Sequence, residues 1–328
     1  MKPKIGITIQ PTLSAKLFCD RDRQRLEALG DVVWNPSSGS LAPGDAVKLL
    51  ADCEIGVGSW GTPWPDAAVV AGCPKLRLWE HVAGSVKHFF GPHLEGRNLQ
   101  IASCAPAIAI NVAEMAVGEI IFGLRRIAEN SAANRNAMAD PPPNAMALGA
   151  ATIGVIGASH VGRNVVRMLQ PFKARILLYD PFVSEAQAVE LGALKAPDLR
   201  ELCRLSHAVT LHTPDLPATK KIVGRAEFQA MRDDCVFVNT SRGACIDEEA
   251  LIHELQLGRL LAFLDVAEPE PPALDSPLRR LPNCVYTSHY AGCADPSLGA
   301  QAVDDIAAFI GGGKPKMVVT REMLDRLA

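Results

Sequence analysis

The sequence predicts an α/β protein whose parallel sheets are wound on both faces by helices. Three observations carry that expectation. Short β-rich apolar runs alternate with helical patterns from end to end. The 328 residues suffice for about two domains at roughly 150 residues each. Apolar residues make up 48% and charged residues 21%, the range of a globular chain with cores to bury rather than of a disordered or fibrous one.

Taken in order, strands are expected at Lys4–Ile9, Asp31–Trp34, Glu54–Gly58, Lys75–Trp79 and Leu99–Ala102, with helices such as Arg21–Leu29 and Pro43–Ala51 between them. A long helix is expected from Val112 to Ala137. It stops at Asp140-Pro141-Pro142-Pro143-Asn144, where three prolines remove backbone donors, and this stretch reads as an interdomain joint. A second series of six strands follows at Thr152–Ile156, Arg175–Tyr179, Ala208–Leu211, Cys235–Thr240, Leu261–Leu264 and Cys284–Thr287, enough for a doubly wound sheet. Ala300–Ile310 reads as a helix ended by Gly311-Gly312-Gly313, and Lys316–Thr320 as a strand returning to the first domain.

Composition excludes several function classes. Thirty-three basic and 36 acidic residues give a formal charge of −3, and Arg125-Arg126 and Arg279-Arg280 are isolated pairs, so no nucleic-acid footprint is expected. Nine cysteines without a C-x-x-C pair point to free thiols and a cytoplasmic location. The apolar stretch Ala105–Leu124 carries Asn111, Glu114 and Glu119, which argues against a membrane span. His81, His88 and His93 lack the spacing of a metal site, and none is expected.

The chemistry concentrates in the second half. Thr152-Ile-Gly-Val-Ile-Gly157-Ala-Ser159-His160-Val161-Gly162 is a strand, a glycine turn and a helix start, the context in which a helix N-terminus receives a pyrophosphate. Ser159 stands where a glycine normally lets the backbone approach phosphate; it either turns aside or donates its hydroxyl. Asp180 ends the next strand near the roughly 20-residue spacing of a ribose-binding carboxylate. It would repel a 2′-phosphate, and no Arg or Lys follows in Asp180-Pro181-Phe182-Val183, so NAD is expected over NADP. Polar and ionisable residues also fall just past the other strand ends: His212-Thr213-Pro214, Arg242, Asp265, Glu268, Glu270 and His289. In open α/β sheets such positions converge on one crevice.

Those segments resemble the D-isomer-specific 2-hydroxyacid dehydrogenase family. The resemblance rests on Val112-Ala113-Glu114, Val161-Gly162-Arg163, Tyr179-Asp180-Pro181, Leu211-His212-Thr213-Pro214, Phe237-Val238-Asn239-Thr240-Ser241-Arg242-Gly243, Asp265-Val266 with Pro269-Glu270-Pro271, and His289-Tyr290-Ala291-Gly292, in the family's order over about two thirds of the chain. It implies two Rossmann-like domains. A doubly wound NAD-binding domain at 109–292 would be inserted in a smaller flavodoxin-like substrate domain made of 1–108 and 293–328. It further implies Arg242 as anchor for carboxylate and carbonyl, His289 as acid/base, and Glu270 as the partner of His289. Glu268, two residues away, competes for that last role, and Glu270 is preferred for its place five residues beyond Asp265. Gly157, Ser159, His160, Val161, Gly162, Asp180, His212, Thr213, Pro214, Thr240 and Asp265 would surround the cofactor.

The implied roles agree with elementary chemistry. An Arg fork can hold a carboxylate and an adjacent carbonyl through paired charge-assisted hydrogen bonds. Charge developing on the C2 oxygen needs a proton, which an imidazolium can supply, and a carboxylate on the far ring nitrogen fixes the tautomer. In the first domain the loop that would receive the substrate carboxylate is His81-Val82-Ala83-Gly84-Ser85-Val86, where Ala83, Gly84 and Ser85 still offer backbone donors. Trp60 is a candidate wall favouring an apolar substituent. The expected activity is NAD-dependent oxidoreduction of a small D-2-hydroxy acid, glyoxylate/hydroxypyruvate-like or phosphoglycerate-like, by a cytoplasmic homodimer. Val86, which stands where the family commonly carries an acid, and Ser159 motivate an alternative, an NAD(H)-sensing, corepressor-like binding protein. An amino-acid oxidoreductase similar to alanine dehydrogenase is a third reading, one that would need ammonia for reductive turnover.

Overall fold

A strand apolar on both faces must be covered on both, and Thr152–Ile156 and Cys235–Asn239 are buried at every residue. The computed structural model describes residues 2–135, 138 and 140–327. It contains the strands β1 (Lys4–Ile7), β2 (Asp31–Trp34), β3 (Ile55–Gly58), β4 (Leu78–His81), β5 (Gln100–Ser103), β6 (Thr152–Ile156), β7 (Arg175–Tyr179), β8 (Leu194–Lys195), β9 (Ala208–Leu211), β10 (Cys235–Asn239), β11 (Leu260–Leu264), β12 (Cys284–Tyr286) and β13 (Val318–Val319). They form two sheets, ordered β13-β5-β4-β3-β1-β2 and β12-β11-β10-β9-β6-β7-β8. Every pairing is parallel except the antiparallel return of β13 onto β5. The α/β class expected from the alternation is therefore the class observed.

The chain divides into two compact units, one of residues 1–108 and 292–328 and the other of 109–291. In the second, alternate residues of one strand feed opposite cores. Val236, Val238 and Phe263 pack with Ile120 and Val165 on one face, while Phe237 and Leu264 pack with Leu202, Phe228 and Leu251 on the other. Strand order reverses at β6, whose neighbours are β9 and β7. That reversal opens a crevice at the carboxyl ends of the strands, the usual place for a ligand.

Four expectations are corrected. The second sheet has seven strands, because the two exposed residues of β8 are too few to show an alternating pattern. The fourth strand starts at Leu78 rather than Lys75; Leu76 is buried but precedes the ladder. The expected single helix is two, Ala105–Leu124 and Ile127–Ala133, and its expected end at Ala137 lies outside the described residues. The proline stretch does not divide the units, since the boundary falls at 108/109, within the helix Ala105–Leu124. By length and composition that helix could cross a membrane, yet half of its apolar window is buried in the fold.

The helix break has a cause at Arg126, which adopts φ 52° and buries its guanidinium. Nη2 donates to the Asp234 carbonyl, and Nη1 lies 3.4 Å from Glu129 Oε1. Arg126→Ala should lose the guanidinium's bond to the Asp234 carbonyl and its ion pairs with the exposed Asp234 and Glu129, and cost about 1–2 kcal/mol. A lowered thermal midpoint, followed by circular dichroism, checks this; an unshifted melt would assign the break to something else.

Candidate active site

The turn after β6 closes only with glycine at two positions. Gly157 sits at φ +94°, where a Cβ would lie 2.8 Å from the His212 carbonyl oxygen, and a Cβ on Gly162 would lie 2.0 Å from the Gly157 oxygen. Ser159 caps the helix His160–Leu169, its Oγ accepting from Gly162 N at 3.4 Å, so the hydroxyl stands in for part of the missing glycine by completing the helix start. His160 and Val161 form the first turn of that helix, at the positive end of its dipole. Asp180 fastens the same turn: Oδ2 accepts from Ala158 N and Oδ1 from Phe182 N, both at 2.8 Å. Each carboxylate oxygen retains a second acceptor site, which leaves capacity for ribose hydroxyls.

Past β9, His212 is buried, with N donating to the Ile156 carbonyl and Nε2 2.9 Å from Thr210 Oγ1. Burial pushes the imidazole down to about 3, so the ring is neutral, and its Nδ1 is a buried atom with no partner among the described residues. Thr213 is buried beside it, and the Pro214 carbonyl accepts from Thr219 Oγ1 at 2.5 Å. The Thr240 hydroxyl oxygen, past β10, is likewise buried without a partner. Orphaned polar atoms around a helix N-terminus and its companion carboxylate fit a polar, phosphate-bearing dinucleotide.

The turn that carries Arg242 is built by Asn239. Its Oδ1 accepts from Ser241 N and Ser241 Oγ at 3.0 Å, and its Nδ2 donates to the Arg242 carbonyl at 3.1 Å. The half-buried Arg242 donates from Nη1 to the Ser241 carbonyl at 2.7 Å. Next comes Gly243, where a Cβ would lie 2.1 Å from the Ala267 carbonyl carbon. That approach presses the Arg242 turn against the backbone leading into Glu268 and Glu270. Asn239 and Gly243 escaped the sequence reading as site-building residues, although an Asn and a Gly bracketing an Arg at a strand end were a usable signal.

Asp265, at the end of β11, is almost wholly buried. Its Oδ1 accepts from Thr287 Oγ1 at 2.7 Å and Tyr290 N at 3.0 Å, and Oδ2 accepts from Ala291 N at 2.9 Å. The carboxylate thus clamps the loop carrying His289, a non-glycine residue at φ 55°. His289 Nδ1 meets Glu270 Oε1 at 2.6 Å. The competing Glu268 has no contact with His289 among the described residues; its backbone N donates to Glu248 Oε2 at 3.2 Å. Glu119 also approaches this region. One of its oxygens is buried without a partner among the described residues, and burial together with the Asp265 charge raises its carboxyl to about 8. The sequence reading noticed Glu119 only as a mark against a membrane span.

In the first unit, Ala83 is buried, Gly84 half-buried and Ser85 exposed at the carboxyl end of β4. Trp60 follows β3 and is 40% exposed. His81 is buried against Phe89, with ring centroids 4.9 Å apart, and burial lowers it to about 3.

Residues 117–291 match the family model described as D-isomer specific 2-hydroxyacid dehydrogenase, NAD binding domain. The chain is 32% identical over 299 residues to a D-3-phosphoglycerate dehydrogenase of Methanocaldococcus jannaschii, covering 90% of this chain but 56% of that protein. It is 30% identical over 282 residues to a hydroxypyruvate reductase of Thermotoga maritima, covering 84% of this chain and 90% of that one. The chain thus spans little more than half the length of the first relative. A solved NAD-complexed D-isomer specific 2-hydroxyacid dehydrogenase of Lactobacillus delbrueckii ssp. bulgaricus shares the fold with a TM-score of 0.78, at 21% identity, over 97% of this chain and 100% of that chain.

Glu119 yields a test. Between pH 4.5 and about 8 the unfolded chain ionises this carboxyl while the folded chain keeps it protonated. Folding stability therefore falls as pH rises through that window and levels off above it, a change on the order of a few kcal/mol. Glu119→Gln should melt close to wild type at pH 5 and clearly above it at pH 8, as read by differential scanning calorimetry. A gap that does not change with pH would contradict this account.

Proposed function

The chain belongs to the D-isomer-specific 2-hydroxyacid dehydrogenase family, and on that premise we propose that it is an NAD-dependent oxidoreductase acting at C2 of a small D-2-hydroxy acid or the matching 2-oxo acid. The observation carrying this reading is the 2.6 Å pairing of His289 with Glu270, beside a turn that presents Arg242. NAD, when bound, exchanges a hydride with C2. Gly157, Ser159, His160, Val161 and Gly162 would receive its pyrophosphate, Asp180 its ribose, and His212, Thr213, Pro214 and Thr240 would line its remaining length.

The chain's own side chains then divide the work. Arg242 holds the substrate carboxylate and C2 oxygen with its fork, drawing charge toward that oxygen. Glu270 occupies Nδ1 of His289, which leaves Nε2 to pass a proton to the oxygen in reduction or take it in oxidation. Asp265 holds the loop so that the imidazole keeps its station. In the first unit the loop after β4 would offer the Gly84 and Ser85 amides to a carboxylate, the Ala83 amide expected from the sequence being already spent on the His81 carbonyl at 2.7 Å, and Trp60 would limit the size of the C3 substituent. Glyoxylate, hydroxypyruvate and phosphoglycerate-like acids are the candidate substrates, following the relatives' names. Nine free cysteines support a cytoplasmic setting, and a homodimer is the assembly the family resemblance implies.

His289→Ala should lower the reductive kcat by about 10²–10⁴-fold near neutral pH, and Arg242→Ala should lower kcat/KM by about 10²-fold. In both variants NADH binding, followed by nicotinamide fluorescence, stays near wild type. Wild-type rates in either variant would remove that residue's role. NADH binding by the wild type without consumption of any 2-oxo acid would instead favour the sensor reading.

A further inference from the structure

The loop after β4 is held by two buried serines, Ser59 and Ser103. Ser59 Oγ donates to the Val82 carbonyl at 2.8 Å, and Ser103 Oγ lies 3.1 Å from the Ala83 oxygen and 2.5 Å from the Gly84 oxygen. Both serines are almost wholly buried, at 3% and 1% exposure, so all three carbonyls face inward. In a trans peptide the C=O and the following N–H point in opposite directions. Drawing the Ala83 carbonyl inward therefore turns the Gly84 N–H outward, and drawing the Gly84 carbonyl inward does the same to the next amide. Ala83 N is spent on the His81 carbonyl at 2.7 Å, whereas Gly84 N has no acceptor among the described residues.

Gly84 itself supplies an independent observation. Its φ lies outside the left-handed region, and a Cβ there would find a single neighbour, Ile108 Cδ1, at an ordinary 3.8 Å. Nothing inside the unit demands a glycine. A ligand brought close to the bare amide would.

We propose that Ser103 is a positioning residue that builds the receptor for the substrate carboxylate by holding the Ala83 carbonyl inward and so turning the Gly84 amide outward. This rests on the reading of the chain as a 2-hydroxyacid dehydrogenase for the identity of the carboxylate. Ser103 also has structural duties, since its Oγ accepts from Ala105 N at 3.1 Å and its carbonyl accepts from Gln301 Nε2 at 3.2 Å. Threonine keeps the hydroxyl and alanine does not, so the pair separates donor chemistry from packing.

The test measures steady-state reduction of glyoxylate, hydroxypyruvate and pyruvate with NADH, and oxamate binding in the presence of NADH by calorimetry, for the full chain. Ser103→Ala should raise the oxo-acid KM and the oxamate Kd about tenfold, with kcat within about threefold and NADH affinity unchanged. Ser103→Thr should restore both constants. Gly84→Ala should melt with the wild type yet weaken oxo acid and oxamate by at least about tenfold, because its methyl group covers the amide. Equal oxamate affinity in wild type and Ser103→Ala, or no oxamate binding by the wild type, would overturn the proposal. A wild type that reduces none of the acids while its oxamate binding still depends on Ser103 would overturn the dehydrogenase reading and leave this one standing.

Discussion

A buried carboxylate holds the working end of the second unit together. Asp265 leaves the end of β11 with both oxygens committed, taking one hydroxyl and two amides from the segment 287–291. Charge-assisted bonds to backbone amides in a dry setting are strong, and removing the carboxylate would strand three donors. His289 takes a left-handed φ of 55° inside that clamp. From there the consequences run outward: the imidazole is held where Glu270 reaches its Nδ1, and one ring nitrogen is left for chemistry. The close approach of Gly243 to Ala267 brings the Arg242 turn against the backbone that leads to Glu270.

Both units use one device at their strand ends: a short polar side chain binds nearby backbone and so decides which groups face the ligand. Asn239 shapes the Arg242 turn, Ser159 closes the start of the helix His160–Leu169, and Asp180 ties the glycine turn to β7. In the first unit Ser59 and Ser103 do this for the loop after β4. These side chains are too short to reach far, and that shortness makes them good anchors: little rotamer entropy is lost in fixing them. The longer groups, Arg242, Glu270 and His289, remain to face a substrate.

Much of the fold was legible because its signals are local. Thr152–Ile156 and Cys235–Asn239 read as buried strands from apolar runs alone, and Gly157 and Gly162 read as a turn and helix start from their spacing. What escaped depended on distant partners. Arg126 looks like an ordinary helix residue until Asp234 is found beside it, and β8 is two residues that pair only because β7 is there. Glu268 and Glu270 are indistinguishable by composition, and the contact of Glu270 with His289 Nδ1 separates them. Ser103 carried no signal at all, since a serine after a strand is commonplace.

The sequence by itself determined the α/β class, the glycine turn, the carboxylate that follows it and the set of ionisable residues at strand ends. Periodicity and turn chemistry act over a few residues, and the chain writes them openly. Only the tertiary structure decided which carboxylate meets His289, what Asp265 binds, why Glu119 stays protonated and which way the Gly84 amide faces. Those outcomes depend on desolvation and on hydrogen bonds between segments far apart in the chain, and neither exists until the sheets have formed around them.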